Sequence, residues 1–141
     1  ASAVEVWEFL RERFGLKNIG VILTDSVSSP MRWGVTGKCI AYCGFKGIFP
    51  RVGEPDIYGR KLKMTRVNIA DALAASAVLC MGESNEQTPI ALIEEVPFIE
   101  FSQQPPTDKE LESMNISIED DIYGQLLTAV KWQKGGRGMK G

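Results

Sequence analysis

The chain has 141 residues, of which 44% are hydrophobic and 24% are charged, and its formal net charge at pH 7 is −2. These values are typical of one soluble globular domain with a core, and the small net charge argues against a nucleic-acid partner. The chain contains no histidine, which excludes Ser-His-Asp and Cys-His nucleophiles, imidazole bases and imidazole metal ligands. Any metal would be held by oxygen ligands, which favours magnesium or manganese.

The three cysteines, Cys39, Cys43 and Cys80, are an odd number without a C-x-x-C pair. This pattern favours neither a disulfide framework nor a zinc site, and it predicts small buried side chains in a reducing cytosol. No apolar run approaches the roughly 20 residues that span a bilayer, and no signal peptide is visible. We therefore expect a cytoplasmic protein with no membrane partner.

The first elements in chain order are a helix and a strand. Apolar residues recur at helical spacing from Val4 to Phe14, with Ser2 available as the N-cap and Gly15 as the stop. The β-branched apolar run 19–23 then predicts a strand buried on both faces. This strand leads into Asp25 and a loop of hydroxyl-bearing residues. An acidic residue at the carboxyl end of a buried strand is a common place for a metal or phosphate contact.

Further strands are expected at 35–45, at 61–67 as a half-exposed edge, and at 89–93 as a third buried strand. Between them, Asn68 predicts the N-cap of a helix over 69–81, which Gly82 would end. The alanines of this helix predict close packing against a sheet or another helix.

Two helices are predicted towards the end of the chain. Thr107 and Glu110 have the spacing of a capping box for a short helix reaching about Met114. Ser117 would cap the last helix. We expect one α+β domain over 1–133, with a mixed sheet and packed helices, followed by a flexible, basic, glycine-rich tail at 134–141.

Acidic and hydroxyl groups stand beside loops at Thr24-Asp25-Ser26, Asp56, Thr65 and Glu119-Asp120-Asp121. Carboxylates that folding brings together can hold magnesium and a polyphosphate. Each group also has a structural interpretation. Asp56 is a turn-former, Thr65 is a β-former, and an acidic run at 119–121 complements a helix N-terminus.

The middle of the chain is biased towards basic residues, which could receive an anionic substrate or the phosphates of a nucleotide. A solvated surface is the alternative interpretation. The basic residues are Arg32, Lys38, Lys46, Arg51, Arg60, Lys61, Lys63 and Arg66. Neither a Walker-type G-x-x-x-x-G-K-[ST] run nor a dinucleotide-binding G-x-G-x-x-G run is present.

Several linked motifs, in the same order, resemble the coenzyme F420-0:L-glutamate ligase family, and especially the branch described as folate-metabolism γ-glutamate ligase. The resemblance extends from about Leu16 to Trp132. The motifs are Gly20-Val21-Ile22-Leu23-Thr24-Asp25-Ser26, Pro30-Met31-Arg32-Trp33-Gly34-Val35-Thr36-Gly37, Asp56-Ile57-Tyr58-Gly59-Arg60-Lys61-Leu62, Asn68-Ile69-Ala70-Asp71-Ala72-Leu73-Ala74-Ala75, Met81-Gly82-Glu83 and Glu119-Asp120-Asp121-Ile122-Tyr123-Gly124.

The resemblance implies a cytoplasmic enzyme that joins L-glutamate through an amide bond to coenzyme F420-0 or a folate-like acceptor. In such enzymes GTP activates a carboxylate as an acyl phosphate, which the glutamate amine attacks. Mg²⁺ or Mn²⁺ is required, and K⁺ often assists. The implied fold is an α+β arrangement in an intertwined homodimer, of which this chain would be the C-terminal part.

Carried over by position, the resemblance assigns metal contacts to Asp25, Thr65, Glu119 and Asp121. It assigns nucleotide contacts to Ser28, Arg32 and Asp120. Asp56 and Arg66 are further candidates, and the residues matched here name no catalytic group.

Two departures from the family pattern keep other functions open. Family members commonly have Gly-Arg where this chain has Ser28-Ser29, and the deazaflavin ligases usually have Glu where it has Arg66. The alternative is a non-catalytic binding or dimerisation module. A third interpretation is a nucleotide-dependent ligase for an unrelated acid. The sequence does not distinguish GTP from ATP.

Overall fold

The computed structural model describes residues 2–131, and the predicted tail at 134–141 lies outside them. The protein mixes helices with two small antiparallel sheets, as an α+β fold would. In chain order the elements are α1 (Ser2–Phe14), β1 (Val21–Ser28), β2 (Val35–Cys43), β3 (Ile48–Pro50), β4 (Arg66–Asn68), α2 (Ile69–Met81), α3 (Asp108–Glu112) and α4 (Gly124–Thr128).

Helix α1 confirms the predicted amphipathic helix, although it already includes Ser2, so the prediction of Ser2 as the N-cap was wrong. Its anchor is Trp7, which is 2% exposed and whose ring N–H donates to the carbonyl oxygen of Ile19 at 3.0 Å. The guanidinium of Arg11 lies 4.4 Å from the centre of the same ring. Trp7 therefore fixes α1 against the start of β1.

Strands β1 and β2 form an antiparallel hairpin, with Val21 opposite Cys43 at one end and Ser28 opposite Val35 at the other. The register shifts by one residue between Leu23 and Thr24, so β2 carries a bulge. The prediction that β1 is buried on both faces is confirmed only in part. Val21 and Leu23 pack with the cluster of α1, and Ile22 packs with the cluster of α2, so each face of the first half of β1 is covered by a helix. No β1 residue is fully buried, and Asp25, Ser26 and Ser28 are exposed.

Helix α2 confirms its predicted bounds and its close packing. The side chain of Asn68 accepts the N–H of Asp71, and the N–H of Gly82 closes the helix on the carbonyl oxygen of Val78 at 2.9 Å. A Cβ added at Gly37 of β2 would come within 2.5 Å of the Ala74 carbonyl oxygen. Glycine at this position therefore lets the strand lie directly on the helix.

Two strand predictions need correction. The strand expected at 61–67 is interrupted. Its end forms β4, which pairs with β3, whereas Lys61 makes only an isolated antiparallel bridge to Pro55. The strand expected at 89–93 is absent: this segment has no regular structure, and Ile90 and Leu92 are 85% and 80% exposed. The segment is apolar, as a buried strand would be, but no strand among residues 2–131 pairs with it.

The structure confirms the predictions for the last two helices only in part. The capping box of Thr107 and Glu110 is present and begins α3. Ser117 accepts the N–H of Asp120, but residues 117–121 form a turn and α4 begins only at Gly124. The prediction of one long helix from Ser117 was therefore wrong.

Candidate functional site

Asp25 lies within β1, three residues before its end, rather than at the end of the strand as predicted. Its side chain is exposed, and it stands opposite Lys38 of β2. Its Oδ1 accepts the N–H of Ser26 at 2.8 Å. Because the bulge lies between the pairs of Leu23 and Thr24, residues 24–28 pair with β2 in a register shifted by one residue relative to the first half of the strand.

The hydroxyl of Ser26 donates to Oε2 of Glu83 at 2.5 Å. Glu83 directly follows the glycine that ends α2. This contact joins two segments that are 57 residues apart in sequence. It brings a second carboxylate to the outer half of β1, where the adjacent side chains of Asp25 and Ser26 project to opposite faces of the sheet. Glu83 was not among the predicted site residues, and its only sequence signal was the Met81-Gly82-Glu83 motif.

Asp71 is a second residue that the sequence reasoning did not single out. Its Oδ1 accepts the N–H of Cys39 at 3.0 Å, and its Oδ2 accepts from the side chain of Asn68 at 2.8 Å. Both carboxylate oxygens of Asp71 therefore accept hydrogen bonds, and one of these bonds comes from β2 beside the bulge. Asp71 positions α2 against the hairpin that carries Asp25. Burial, and then the neighbouring Asp71 carboxylate, raise the pKa of the Cys39 thiol to about 11.

Two of the predicted nucleotide contacts lie on the β1–β2 hairpin. Ser28 is the last residue of β1, and Arg32 is exposed in the connecting loop, where its N–H donates to the Ser29 carbonyl oxygen at 3.3 Å. Met31 and Trp33 on either side of Arg32 are fully exposed. The loop therefore projects a cation between two apolar side chains.

The other candidates in the middle of the chain have structural partners. Oδ1 of Asp56 accepts the N–H groups of Tyr58 and Arg60, each at 2.8 Å, which is the turn-forming role. The carbonyl oxygen of Thr65 accepts the N–H of Arg51 at 2.9 Å. Arg66 is exposed on β4, opposite Pro50.

The acidic run near the end of the chain lies in the turn before α4. Asp120 contacts the hydroxyl of Ser117 at 3.1 Å, and Oδ1 of Asp121 accepts the N–H of Tyr123 at 2.8 Å. Glu119 is exposed. These carboxylates therefore shape the turn through local hydrogen bonds.

Within residues 2–131, no group of three acidic or cysteine side chains could hold a metal ion. The predicted ligands lie on separate segments, namely β1, the residue before β4, and the turn at 117–121. Their oxygen chemistry suits Mg²⁺ or Mn²⁺, but this part of the chain does not by itself assemble a ligand set. The metal assignment stays a prediction.

A large apolar groove runs along β1 on the side away from β2, with a volume of about 840 Å³. Its walls are β1, the inner face of α2 and the irregular segment 89–101. The charged residues that line it are Glu94 and Glu95, and no Lys or Arg does so. The groove therefore does not match the anionic ligand expected beside Arg32.

Among the described helices, none is both long and apolar enough to cross a membrane.

Residues 1–95 match the model of the family described as F420-0:Gamma-glutamyl ligase. The chain belongs to this family. The match includes the segments of Asp25 and Glu83, which the Ser26 hydrogen bond holds together, and it confirms the resemblance drawn from the motifs.

Individual relatives agree with this family. The coenzyme F420:L-glutamate ligase of Methanococcus maripaludis strain C7 is 46% identical over 122 residues, which are 86% of this chain and 46% of the relative. That of Methanocaldococcus jannaschii is 44% identical over 89 residues, 62% of this chain and 36% of the relative. The coenzyme F420:L-glutamate ligase of Methanothermobacter thermautotrophicus is 39% identical over 97 residues, which are 69% of this chain and 38% of the relative. The chain spans less than half the length of these relatives.

Proposed function

We propose that this chain forms part of a γ-glutamyl ligase that joins L-glutamate to coenzyme F420-0 through an amide bond. The observation that carries the proposal is the family match over residues 1–95, whose motif segments include β1 and the end of α2. The relatives are named as ligases for coenzyme F420 and L-glutamate. A folate-like acid is the alternative acceptor.

The proposed chemistry begins with attack of the acceptor carboxylate on the terminal phosphate of GTP, which gives an acyl phosphate and GDP. The glutamate amine then attacks the acyl carbon and the amide bond forms. Inorganic phosphate leaves with the electron pair of the broken C–O bond and takes up the proton that the amine nitrogen loses. A deprotonated amine and an acyl phosphate need no imidazole base, which is consistent with a chain that has no histidine.

In this scheme the exposed hairpin would contact the nucleotide through Ser28 and Arg32, with Asp120 assigned to the same role from a separate turn. A guanidinium is suited to phosphate oxygens because it donates several hydrogen bonds from one plane. Lys38, opposite Asp25, adds a second positive charge to the same hairpin.

We further propose that the enzyme depends on Mg²⁺ or Mn²⁺, with K⁺ as an accessory ion. The proposed ligands are Asp25, Thr65, Glu119 and Asp121, and Asp56 and Arg66 are further candidate site residues. Residues 2–131 bring no three carboxylates together, so they do not fit a complete metal site and no step is assigned to the metal. Additional ligands would come from a second copy in the proposed homodimer or from other residues of the enzyme.

The test is a chimera in which this chain replaces the stretch that it matches in the Methanococcus maripaludis relative. With coenzyme F420-0, L-glutamate, GTP and Mg²⁺, we expect GDP release and a product heavier by one glutamate residue. Omission of glutamate or acceptor should abolish the product. A folded chimera that forms no product, beside an active parent enzyme, would contradict the proposal.

A non-catalytic module is the second candidate, and the dispersed carboxylates together with Ser28-Ser29 favour it. Calorimetric titration of the folded chimera with GTP, in the presence and absence of Mg²⁺, separates the two candidates. A ligase should bind the nucleotide more tightly with Mg²⁺. A module that only binds other proteins should show no heat of nucleotide binding.

A further inference from the structure

The outer end of the β1–β2 hairpin, residues 27–36, extends into solvent. Val27 is half-buried, and every residue from Ser28 to Thr36 is exposed. The two strands of this outer end pair with each other, with Val27 opposite Thr36 and Ser28 opposite Val35. The position of the outer end relative to the helices is therefore set where the hairpin leaves the core.

One face of β1 is directed towards α2. Ile22 packs on the buried cluster that includes Ala70 of this helix. Because side chains alternate along a strand, Ser26 and Ser28 project from the same face as Ile22, whereas Asp25 projects from the other. The face that meets α2 therefore continues into the outer end of the hairpin.

Two contacts hold this face at the end of α2. A Cβ added at Gly37, which stands opposite Ser26, would lie 2.5 Å from Cγ2 of Val78, so β2 touches the last turn of the helix. Gly82 ends α2 with a φ of +83°, a conformation that favours glycine. The next residue, Glu83, accepts the hydroxyl of Ser26 through Oε2 at 2.5 Å.

The bond between Ser26 and Glu83 is charge-assisted, because a hydroxyl donates to a carboxylate. Both residues are exposed, so the bond does not hold the core together. It ties the hairpin to α2 at the last residue before the outer end. Glu86, in the same loop as Glu83, instead accepts the N–H of Ser84 within that loop at 2.8 Å.

We propose that Glu83 is a positioning residue for the nucleotide contacts of the hairpin. The hydrogen bond that it accepts from Ser26 holds the outer end in a fixed position relative to α2, so that Ser28 and Arg32 reach the phosphates together. Ser28 lies on the face of Ser26, two residues beyond the bond, and Arg32 follows in the connecting loop. The nucleotide part of this inference rests on the proposed function, whereas the holding of the hairpin by Glu83 does not.

The first test is hydrogen exchange on the 141-residue chain, which requires no activity. Glu83→Ala and Ser26→Ala should each speed amide exchange in the outer end by about 10-fold, because each removes a hydrogen bond to a charged group. The double variant should exchange no faster than either single variant, since both remove the same bond. Glu83→Gln keeps an acceptor and should restore most of the protection. Glu86→Ala is the matched control and should leave exchange in the hairpin unchanged.

The second test is the steady-state kinetics of the same variants in the chimeric ligase. Glu83→Ala and Ser26→Ala should raise KM for GTP by about 10-fold and change kcat and KM for L-glutamate by less than about twofold, because nucleotide binding is weakened and the chemical step is not. Removal of a carboxylate near an anionic nucleotide would by charge alone lower KM for GTP. A higher KM therefore reports lost positioning, and Glu86→Ala controls for the change of charge.

Three results would overturn the proposal. The first is unchanged exchange of the outer end in both single variants, and the second is an unchanged KM for GTP despite faster exchange. The third is a lower kcat with a greater requirement for Mg²⁺ that Glu83→Gln does not restore, which would mean that Glu83 contacts the metal directly. An inactive chimera of the unaltered chain contradicts the proposed function instead, and the exchange experiment then decides whether Glu83 holds the hairpin.

Discussion

The stretches of chain before and after Gly82 differ in the burial of their apolar side chains. Every buried apolar residue in the described part of the chain lies in the first stretch: Ala3, Trp7, Tyr42, Cys43, Phe45, Ile69, Ala70, Ala74 and Val78. In the second stretch Ile90, Leu92 and Ile122 are at least 80% exposed. The first stretch makes its own core. The second stretch has no buried apolar residue among those the structure describes, and its segment 89–93 forms part of the wall of the groove beside β1.

The largest expected effect is on the core of the first stretch. Trp7→Ala should lower the free energy of unfolding by about 3–5 kcal/mol, because it removes a buried ring and leaves the Ile19 carbonyl oxygen without its donor. Trp33→Ala is the matched control, since that ring is fully exposed and its loss should cost less than about 0.5 kcal/mol. Urea denaturation measures both. Similar losses in the two variants would contradict the assignment of the core.

The reactivities of the cysteine thiols report which parts of the chain are packed. At pH 8 the Cys39 thiol, whose pKa is raised to about 11, is almost entirely protonated, and burial also raises the pKa of Cys43. Cys80 is exposed in the last turn of α2. Iodoacetamide should therefore modify Cys80 on the order of 100-fold faster than Cys39, because the thiolate is the nucleophile. Reaction of Cys39 should accelerate as the pH rises towards 11. Peptide mass mapping over time measures this ratio, and equal rates at pH 8 would show that β2 is not packed as described.

A pair of helix caps compares the two stretches directly. Asn68→Ala should cost about 1 kcal/mol of unfolding free energy, because Asn68 caps a helix with four buried residues. Thr107→Ala removes an equally good cap from α3, which buries none. Loss of the Thr107 cap should leave the global unfolding transition of the chain unchanged and should only speed the hydrogen exchange of the amides in α3. An equal shift of the transition by both variants would mean that α3 unfolds together with the core.

The smallest effect is expected within the second stretch. Ile90→Ser should change the unfolding free energy of the chain alone by less than about 0.5 kcal/mol, because the side chain is already exposed. Ile69→Ser, at the buried first residue of α2, should cost several times more. Thermal denaturation of both variants gives the comparison. A large loss for Ile90→Ser would show that the segment at 89–93 is buried after all.

Local signals were sufficient to predict much of the fold. The helical spacing of α1, the Asn68 and Gly82 boundaries of α2 and the capping box of α3 all depend on residues within a few positions of one another. The errors occurred where the outcome depends on distant partners. The burial of β1 and the strand at 89–93 each require a neighbouring strand, and no local pattern shows whether that neighbour is present.

The site was less accessible to sequence reasoning than the fold. Asp25 could be selected because it follows an apolar run, but its place within a strand depends on the pairing of Ser28 with Val35. Glu83 and Asp71 act through contacts across 57 and 32 residues, to Ser26 and Cys39. Such contacts follow from the packing of α2 on the hairpin, which periodicity predicts only in outline.

The most direct measurement of the central claim is the turnover of the chimeric ligase with Asp25→Asn beside Asp108→Asn. Asp25 is proposed as a metal contact on β1, whereas Asp108 lies exposed at the start of α3. Glutamate-dependent GDP release should fall by at least about 10-fold in Asp25→Asn and stay unchanged in Asp108→Asn. Raising the Mg²⁺ concentration should restore part of the lost activity. Equal activity of the two variants at limiting Mg²⁺ would contradict the role of Asp25.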